Sequence, residues 1–144
     1  MEQHELRFAG GALDQHISAI ARQLYGDERS LVWLLSNHRG AANPIRSAAI
    51  LDQLGLRRGE NGRRWVNGAV AHLLELGLRI GASRRDPVGY FLIETQADLD
   101  IALSAHRGQL YGHIRHMRLL ASKQTVAQMF GQAMLEFEKG ATAA

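Results

Sequence analysis

The sequence predicts a mainly α-helical fold with one small β-hairpin, on three grounds. Apolar residues recur three and four apart along most of the chain, the period of an amphipathic helix. Between Leu78 and Ile93 the period drops to two, as in strands. Hydrophobic residues make up 46% of the 144, charged residues 22%, and prolines number two; such a composition builds a core rather than remaining disordered. The length suits one domain with an extra helix or two and falls short of two full domains.

The elements follow in order. After Gly10-Gly11, Leu13, Ile17, Ile20, Ala21 and Leu24 form a helical stripe that Gly26 ends. Asp27 is suited to cap a second helix carrying Leu31, Val32, Leu34 and Leu35, which stops near His38-Arg39-Gly40. Pro44-Ile45-Arg46 is short and extended, since proline biases the preceding residue away from helix. Ser47 then caps a helix over Ala48 to Leu54, and Gly55 stops it. A polar link containing Arg57, Arg58, Gly59, Glu60, Asn61 and Gly62 leads to a further helix from about Arg63 to Leu76, ended by Gly77. Val66, Val70 and Leu73 are its buried stripe.

Leu78, Ile80 and Ala82 alternate with Arg79, Gly81 and Ser83, and Arg84-Arg85-Asp86-Pro87 breaks the run. Gly89-Tyr90-Phe91-Leu92-Ile93 is the returning strand, with Phe91 expected to pack. Trp33 and Trp65 are expected in structural roles. Thr95-Gln96-Ala97-Asp98 resembles a capping box, with Asp in place of Glu, at the head of a long helix. Leu99, Leu103, His106, Leu110, His113, Met117 and Leu120 alternate steps of four and three along it, a seam for a partner helix in which His106 and His113 are expected to be buried and to fix register. A last helix, Thr125 to about Phe137, carries Met129, Phe130, Ala133, Met134 and Phe137, and Gly140 to Ala144 read as a frayed tail.

Charge is uneven along the chain. Residues 39–94 hold nine Arg against five Asp or Glu, so that segment is about +4, while residues 1–38 are about −2 and residues 95–144 about +1. An arginine excess in the middle third suits a polyanionic partner, although arginines also simply solvate a helical surface.

Several classes are disfavoured. Without cysteine there is neither a disulfide framework nor a thiolate metal site, and a reducing cytoplasm is the expected setting. Met1 to Glu5 do not begin a signal peptide, and no stretch approaches a membrane span. No phosphate loop, nucleophile elbow or catalytic cluster of carboxylates and histidines is present, so neither an enzyme nor a cofactor is expected. His113 and His116 lie three apart on one helix, but a metal shell lacks further ligands nearby, and no metal is expected.

The order helix, short strand, helix, helix, hairpin, helix resembles the winged helix-turn-helix DNA-binding domain of small phage, prophage and prokaryotic regulatory proteins. Arg63-Arg64, Val66, Val70, Leu73, Gly77, Ile80, Ser83 and Gly89-Tyr90-Phe91-Leu92 carry the resemblance, which covers about Leu31 to Leu120. The link Gly55–Gly62 is longer than the tight turn usual in such domains. The resemblance implies residues 1–30 as an N-terminal helical extension, 31–120 as a winged helix domain with a long fourth helix, and 121–144 as a C-terminal helix and tail available for dimerisation.

On this reading, residues 63–76 are a recognition helix for the major groove and residues 78–93 a wing for the minor groove or backbone. With Val66, Val70 and Leu73 inward, Arg64, Asn67, Gly68 and Ala71 face outward. Arginine forks onto guanine or phosphate, and Asn pairs bidentately with adenine. Gly68 suggests either a close approach by a ligand or relief of a helix crossing. Arg84 and Arg85 occupy the wing tip, and Arg46, Arg57, Arg58, Arg63 and Arg79 are further phosphate contacts. The expected function is a cytoplasmic, homodimeric DNA-binding regulator of transcription. The alternative is a winged helix that contacts protein, for example a phage-encoded inhibitor of a host machine, with no affinity for DNA of its own.

Overall fold

The computed structural model describes residues 10–143, with side chains from 11 to 140. Residues 1–9, over which no leader is expected, and Ala144 of the expected tail lie outside the described residues. Among the described residues are six helices and one two-stranded antiparallel sheet: α1 (Gly10–Ala21), α2 (Gly26–Leu35), α3 (Ser47–Gln53), α4 (Glu60–Glu75), β1 (Ile80–Ser83), β2 (Gly89–Leu92), α5 (Gln96–Leu120) and α6 (Lys123–Ala143). The fold is mainly helical with one hairpin, and the chain divides into two compact units after Ala105.

In the first unit one apolar core joins four helices and the hairpin. Leu13, Ile17, Ile20, Ala21 and Leu24 meet Leu31, Val32 and Leu35 of α2, Ile50 and Leu51 of α3, and Val66, Ala69, Val70 and Leu73 of α4. Each such Leu, Ile or Val contributes roughly 1.5–3 kcal/mol by leaving water. Leu78, Ile80 and Leu92 close the same core from the hairpin side. Trp65 packs half-buried against it, whereas Trp33 is 45% exposed.

Three helix starts in the first unit differ from expectation. Tyr25 occupies the N-cap of α2 without a side-chain bond, so Asp27 lies in the first turn, where its charge still favours the helix dipole. Ser47 is the first residue of α3, and Arg46 holds the cap position. Helix α4 starts at Glu60 rather than Arg63, because Gly59 adopts φ 123°, a turn open to glycine, and Glu60 supplies first-turn negative charge. The link between α3 and α4 is thereby reduced to residues 54–59.

The hairpin pairs Ile80 with Leu92 and Ala82 with Tyr90. The expected alternation fails at its middle: Gly81 is buried and Ala82 exposed. The reason is that both faces of the sheet are covered. Ile80, Tyr90 and Leu92 contact the helical core, while Phe91 and Ile93 join Ala41, Leu99 and Ala102 in a second, smaller core. Phe91 is fully buried there, as expected. A Cβ on Gly81 would stand 2.7 Å from the Phe91 ring and 2.9 Å from Ala102, so a larger residue would force the second face open.

The other edge of β2 is also occupied. Ile45 and Tyr90 exchange two backbone hydrogen bonds of 2.8 Å, which gives the extended Pro44–Arg46 segment its partner. The Gly40 N–H donates to the Leu92 carbonyl and the Leu92 N–H to that of His38, both at 2.8 Å.

Asp98 joins these parts. The Thr95 hydroxyl accepts from the Asp98 N–H at 3.1 Å while Asp98 Oδ2 accepts from the Thr95 N–H at 3.1 Å, the reciprocal pair of a capping box. Oδ2 also accepts from the Glu94 N–H at 3.1 Å, and Oδ1 from the Ala41 N–H at 2.9 Å. Burial raises the pKa of this carboxyl, but the N–H donors of Ala41, Glu94 and Thr95, with the Thr95 side chain, outweigh burial and hold it below the ordinary 3.8.

The second unit holds α5 from His106 onward, and α6. Ser122 caps α6, its Oγ accepting from the Thr125 N–H at 3.2 Å, so this helix starts earlier than Thr125 and continues through Gly140 to Ala143 in place of a frayed tail. Val126 is buried and Met117 and Phe130 are half-buried, but Leu110, Leu120, Met129, Met134 and Phe137 are exposed. His106 and His113 are also exposed, contrary to the expectation of a buried seam. Among the described residues no helix is long and apolar enough to cross a membrane.

The carboxylate of Asp98 generates a stability prediction. Asp98→Asn turns one acceptor toward N–H donors as a further donor, and unfolding in urea at pH 7 should show a loss of about 2 kcal/mol. Since the folded pKa lies below 3.8, the carboxylate's contribution is present above 3.8 and is lost as pH falls through the folded value. The gap between the wild type and Asp98→Asn should therefore narrow in thermal melts taken from pH 5 to pH 2.

Candidate functional site

The outward face of α4 is set by its inward one. Val66, Ala69, Val70 and Leu73 are buried, which turns Arg63, Arg64, Asn67, Gly68 and Ala71 to solvent. Two polar contacts fix the rotation of the helix: His72 Nδ1 lies 2.6 Å from Glu28 Oε2 of α2, and the turn after α4 offers the Gly77 carbonyl to His16 Nε2 of α1 at 2.9 Å.

The two glycines of α4 have different reasons. A Cβ at Gly62 would stand 2.5 Å from the Arg57 carbonyl oxygen and 2.8 Å from Leu51 Cδ1, so this glycine lets α4 start against α3. Nothing lies within 4 Å of a Cβ at Gly68. The helix crossing considered as a reason for Gly68 is therefore absent among the described residues.

The hairpin stands beside this face and is bonded to it. The Tyr90 hydroxyl donates to Asn67 Oδ1 at 2.7 Å. Tyr90 is half-buried and packs on the core, and no local pattern in the sequence marks its contact with α4. The hydroxyl end, not the ring face, is what reaches α4. Arg84 and Arg85 are exposed at the hairpin tip, and the Ser83 hydroxyl donates to the Arg85 carbonyl at 2.8 Å. The tip and the first turns of α5 border an open pocket of about 630 Å³ whose lining includes Arg84, Arg85, Asp86 and Asp100. Its two positive and two negative groups select no charge class of ligand.

Three of the arginines expected to meet a polyanion already have carboxylate partners. Arg46 lies 3.6 Å from Asp86 of the hairpin tip, and Arg64 pairs with Glu60 one turn earlier at 2.9 Å. Arg58 grips Asp52 with two nitrogens, Nε donating at 2.9 Å. That hydrogen bond, helped by the Arg58 charge and opposed by slight burial, holds the Asp52 carboxyl below its ordinary value. All three pairs are solvent-exposed and so are weak and screened by salt. Arg57 and Arg63 are exposed, and Arg79 extends from an exposed position before β1. Arg57 and Arg58 share the 54–59 link, apart from the Arg84–Arg85 tip in sequence.

Among the described residues no three of His, Asp and Glu converge on a point that could hold a metal ion. The chain matches no protein-family model, no curated protein and no solved structure.

The glycine pair yields opposite expectations for one substitution. Gly68→Ala should raise unfolding free energy by about 1 kcal/mol, the helix preference of alanine over glycine. Gly62→Ala should lower it by roughly 1–3 kcal/mol through overpacking. Urea midpoints of the two variants compared with wild type check both signs.

Proposed function

We propose that the first unit acts as a winged helix-turn-helix that binds duplex DNA as a regulator of transcription, with α4 in the major groove and the β1–β2 hairpin as the wing. The observation that carries this reading is the exposed α4 face of Arg63, Arg64, Asn67, Gly68 and Ala71, hydrogen-bonded to the hairpin through Tyr90. In this reading α3 and α4 are the helix-turn-helix pair, and the bridge at Ile45 is the short strand beside the wing. Open space at Gly68 admits the edge of a base pair. Arg46, Arg57, Arg58, Arg63, Arg79, Arg84 and Arg85 supply phosphate contacts, with phosphate displacing a carboxylate where one is paired.

A winged helix that contacts protein, with no affinity for DNA of its own, is the rival reading. The pairing of Arg46, Arg58 and Arg64 with carboxylates favours it, because each pair reduces the field a polyanion would meet.

Fluorescence anisotropy against the protein's own upstream region and a random duplex, across a salt series, separates the two. With about six phosphate contacts the slope of log K on log salt is expected near −5. Arg64→Ala and Arg84→Ala should each weaken binding on the order of tenfold. Absence of binding to either duplex at low salt would overturn the DNA reading in favour of the protein partner.

The reading includes a homodimer held by the second unit. Leu119 is 80% exposed, Leu120 79% and Phe137 72%, on helices that otherwise bury little. A second copy is the occupant that suits them by charge. From His106 onward α5 carries Arg107, Arg115 and Arg118 without a carboxylate, whereas α6 carries Glu136 and Glu138 on either side of Phe137, with Lys123 and Lys139 making that helix neutral overall. Pairing α5 of one copy with α6 of the other sets opposite charges beside the apolar stripe. Sedimentation equilibrium should give a dimer for the wild type and a monomer for the double variant Leu120→Glu/Phe137→Glu; a monomeric wild type at tens of micromolar would remove the dimer from the reading.

A further inference from the structure

The contact between the hairpin and α4 limits what Asn67 can recognise. An amide side chain has one acceptor oxygen and two N–H donors on its nitrogen. The Tyr90 hydroxyl has a single proton, and it is given to Asn67 Oδ1 over 2.7 Å. The Ser47 side chain at the start of α3 acts on the same hydroxyl, favouring its ionised form. Burial raises the Tyr90 pKa above its ordinary 10.0, against the opposing effect of the Ser47 side chain, and keeps the hydroxyl protonated as a donor at neutral pH.

With Oδ1 turned to Tyr90, Nδ2 is left as the donor end of the amide. Among the described residues Nδ2 has no hydrogen-bond partner, and Asn67 sits on the exposed face of α4 beside open space at Gly68. We propose that Tyr90 positions Asn67 as a fixed hydrogen-bond donor, so that α4 selects a base edge presenting an acceptor, a purine N7, and rejects the amino group of cytosine. This inference rests on the duplex reading above. The second lone pair of Oδ1 stays open, so an adenine, which offers N7 to the Nδ2 donor and its amino group to Oδ1, is the purine this orientation suits best. Tyr90 is a positioning residue here and touches no base itself.

The test is selection of a randomised duplex pool on the immobilised full-length protein, followed by anisotropy with the selected duplex and with a copy carrying a 7-deazapurine at the selected position. The wild type is expected to select a purine at one position in each half-site and to lose on the order of tenfold in affinity when N7 is replaced by carbon. Tyr90→Phe keeps the packed ring and should bind random duplex within about twofold of wild type while losing the purine preference. Asn67→Asp, at an exposed position, replaces the donor by an acceptor and should shift the preference toward cytosine on that strand. Should Tyr90→Phe melt well below the wild type, Asn67→Asp alone decides. A wild type that selects a site, with both variants selecting the same base, overturns the positioning role and leaves duplex binding intact. Duplex binding without base preference has the same consequence. A wild type that binds no duplex at low salt overturns both readings.

Discussion

The Asp98 carboxylate is the constraint on which the rest of the first unit depends. It accepts N–H groups from Ala41, after α2, and from Glu94 and Thr95, at the head of α5. A buried charge is tolerated only where hydrogen bonds replace its hydration. Here they do, and among the described residues no buried side-chain polar atom is left without a partner. By fixing the head of α5 beside the Ala41 loop, Asp98 lays Leu99 and Ala102 over Phe91 and Ile93. A two-stranded hairpin is marginal by itself in water. This one is held on both faces and along the second edge of β2, which makes it a rigid mount for Tyr90 and for the arginines at its tip.

The electrostatics of the surface follow a different logic from the core. The arginine excess of the middle third is real in the sequence, but folding brings Asp52, Glu60 and Asp86 against three of the arginines. Exposed ion pairs of this kind contribute little to stability. They set the resting geometry of the guanidinium groups and leave them exchangeable, so a stronger anion can take the place of a carboxylate at small cost. The contact at Asn67 is of another kind. It is neutral, directional and shared with a half-buried phenol, and so it survives salt that weakens the arginine pairs.

In the second unit, local preference and packing part company. Isolated helices in water are marginal, and most helical stability in proteins comes from burying an apolar face. Beyond His106 the helices bury Val126 but leave Leu119, Leu120 and Phe137 in water. Along the four-three spacing of α5, Leu99 packs on the hairpin and Met117 is half-buried, while Leu103, His106, Leu110, His113 and Leu120 are exposed.

The sequence by itself determined the helices, the inward stripes of α1, α2 and α4, and the hairpin, because these depend on the local period of apolar residues. Leu13 to Leu24, Val66 to Leu73 and Phe91 are buried where that period puts them, and the Thr95–Asp98 capping box was legible because its residues are neighbours in the chain. The tertiary structure alone decided the second core under Gly81, the fourth bond of Asp98 to Ala41, the carboxylate partners of Arg46 and Arg58, and the hold of Tyr90 on Asn67. Each of these joins residues distant in the chain or depends on which of two faces a neighbouring helix covers. Periodicity reports that a residue faces inward or outward, but not what it meets there.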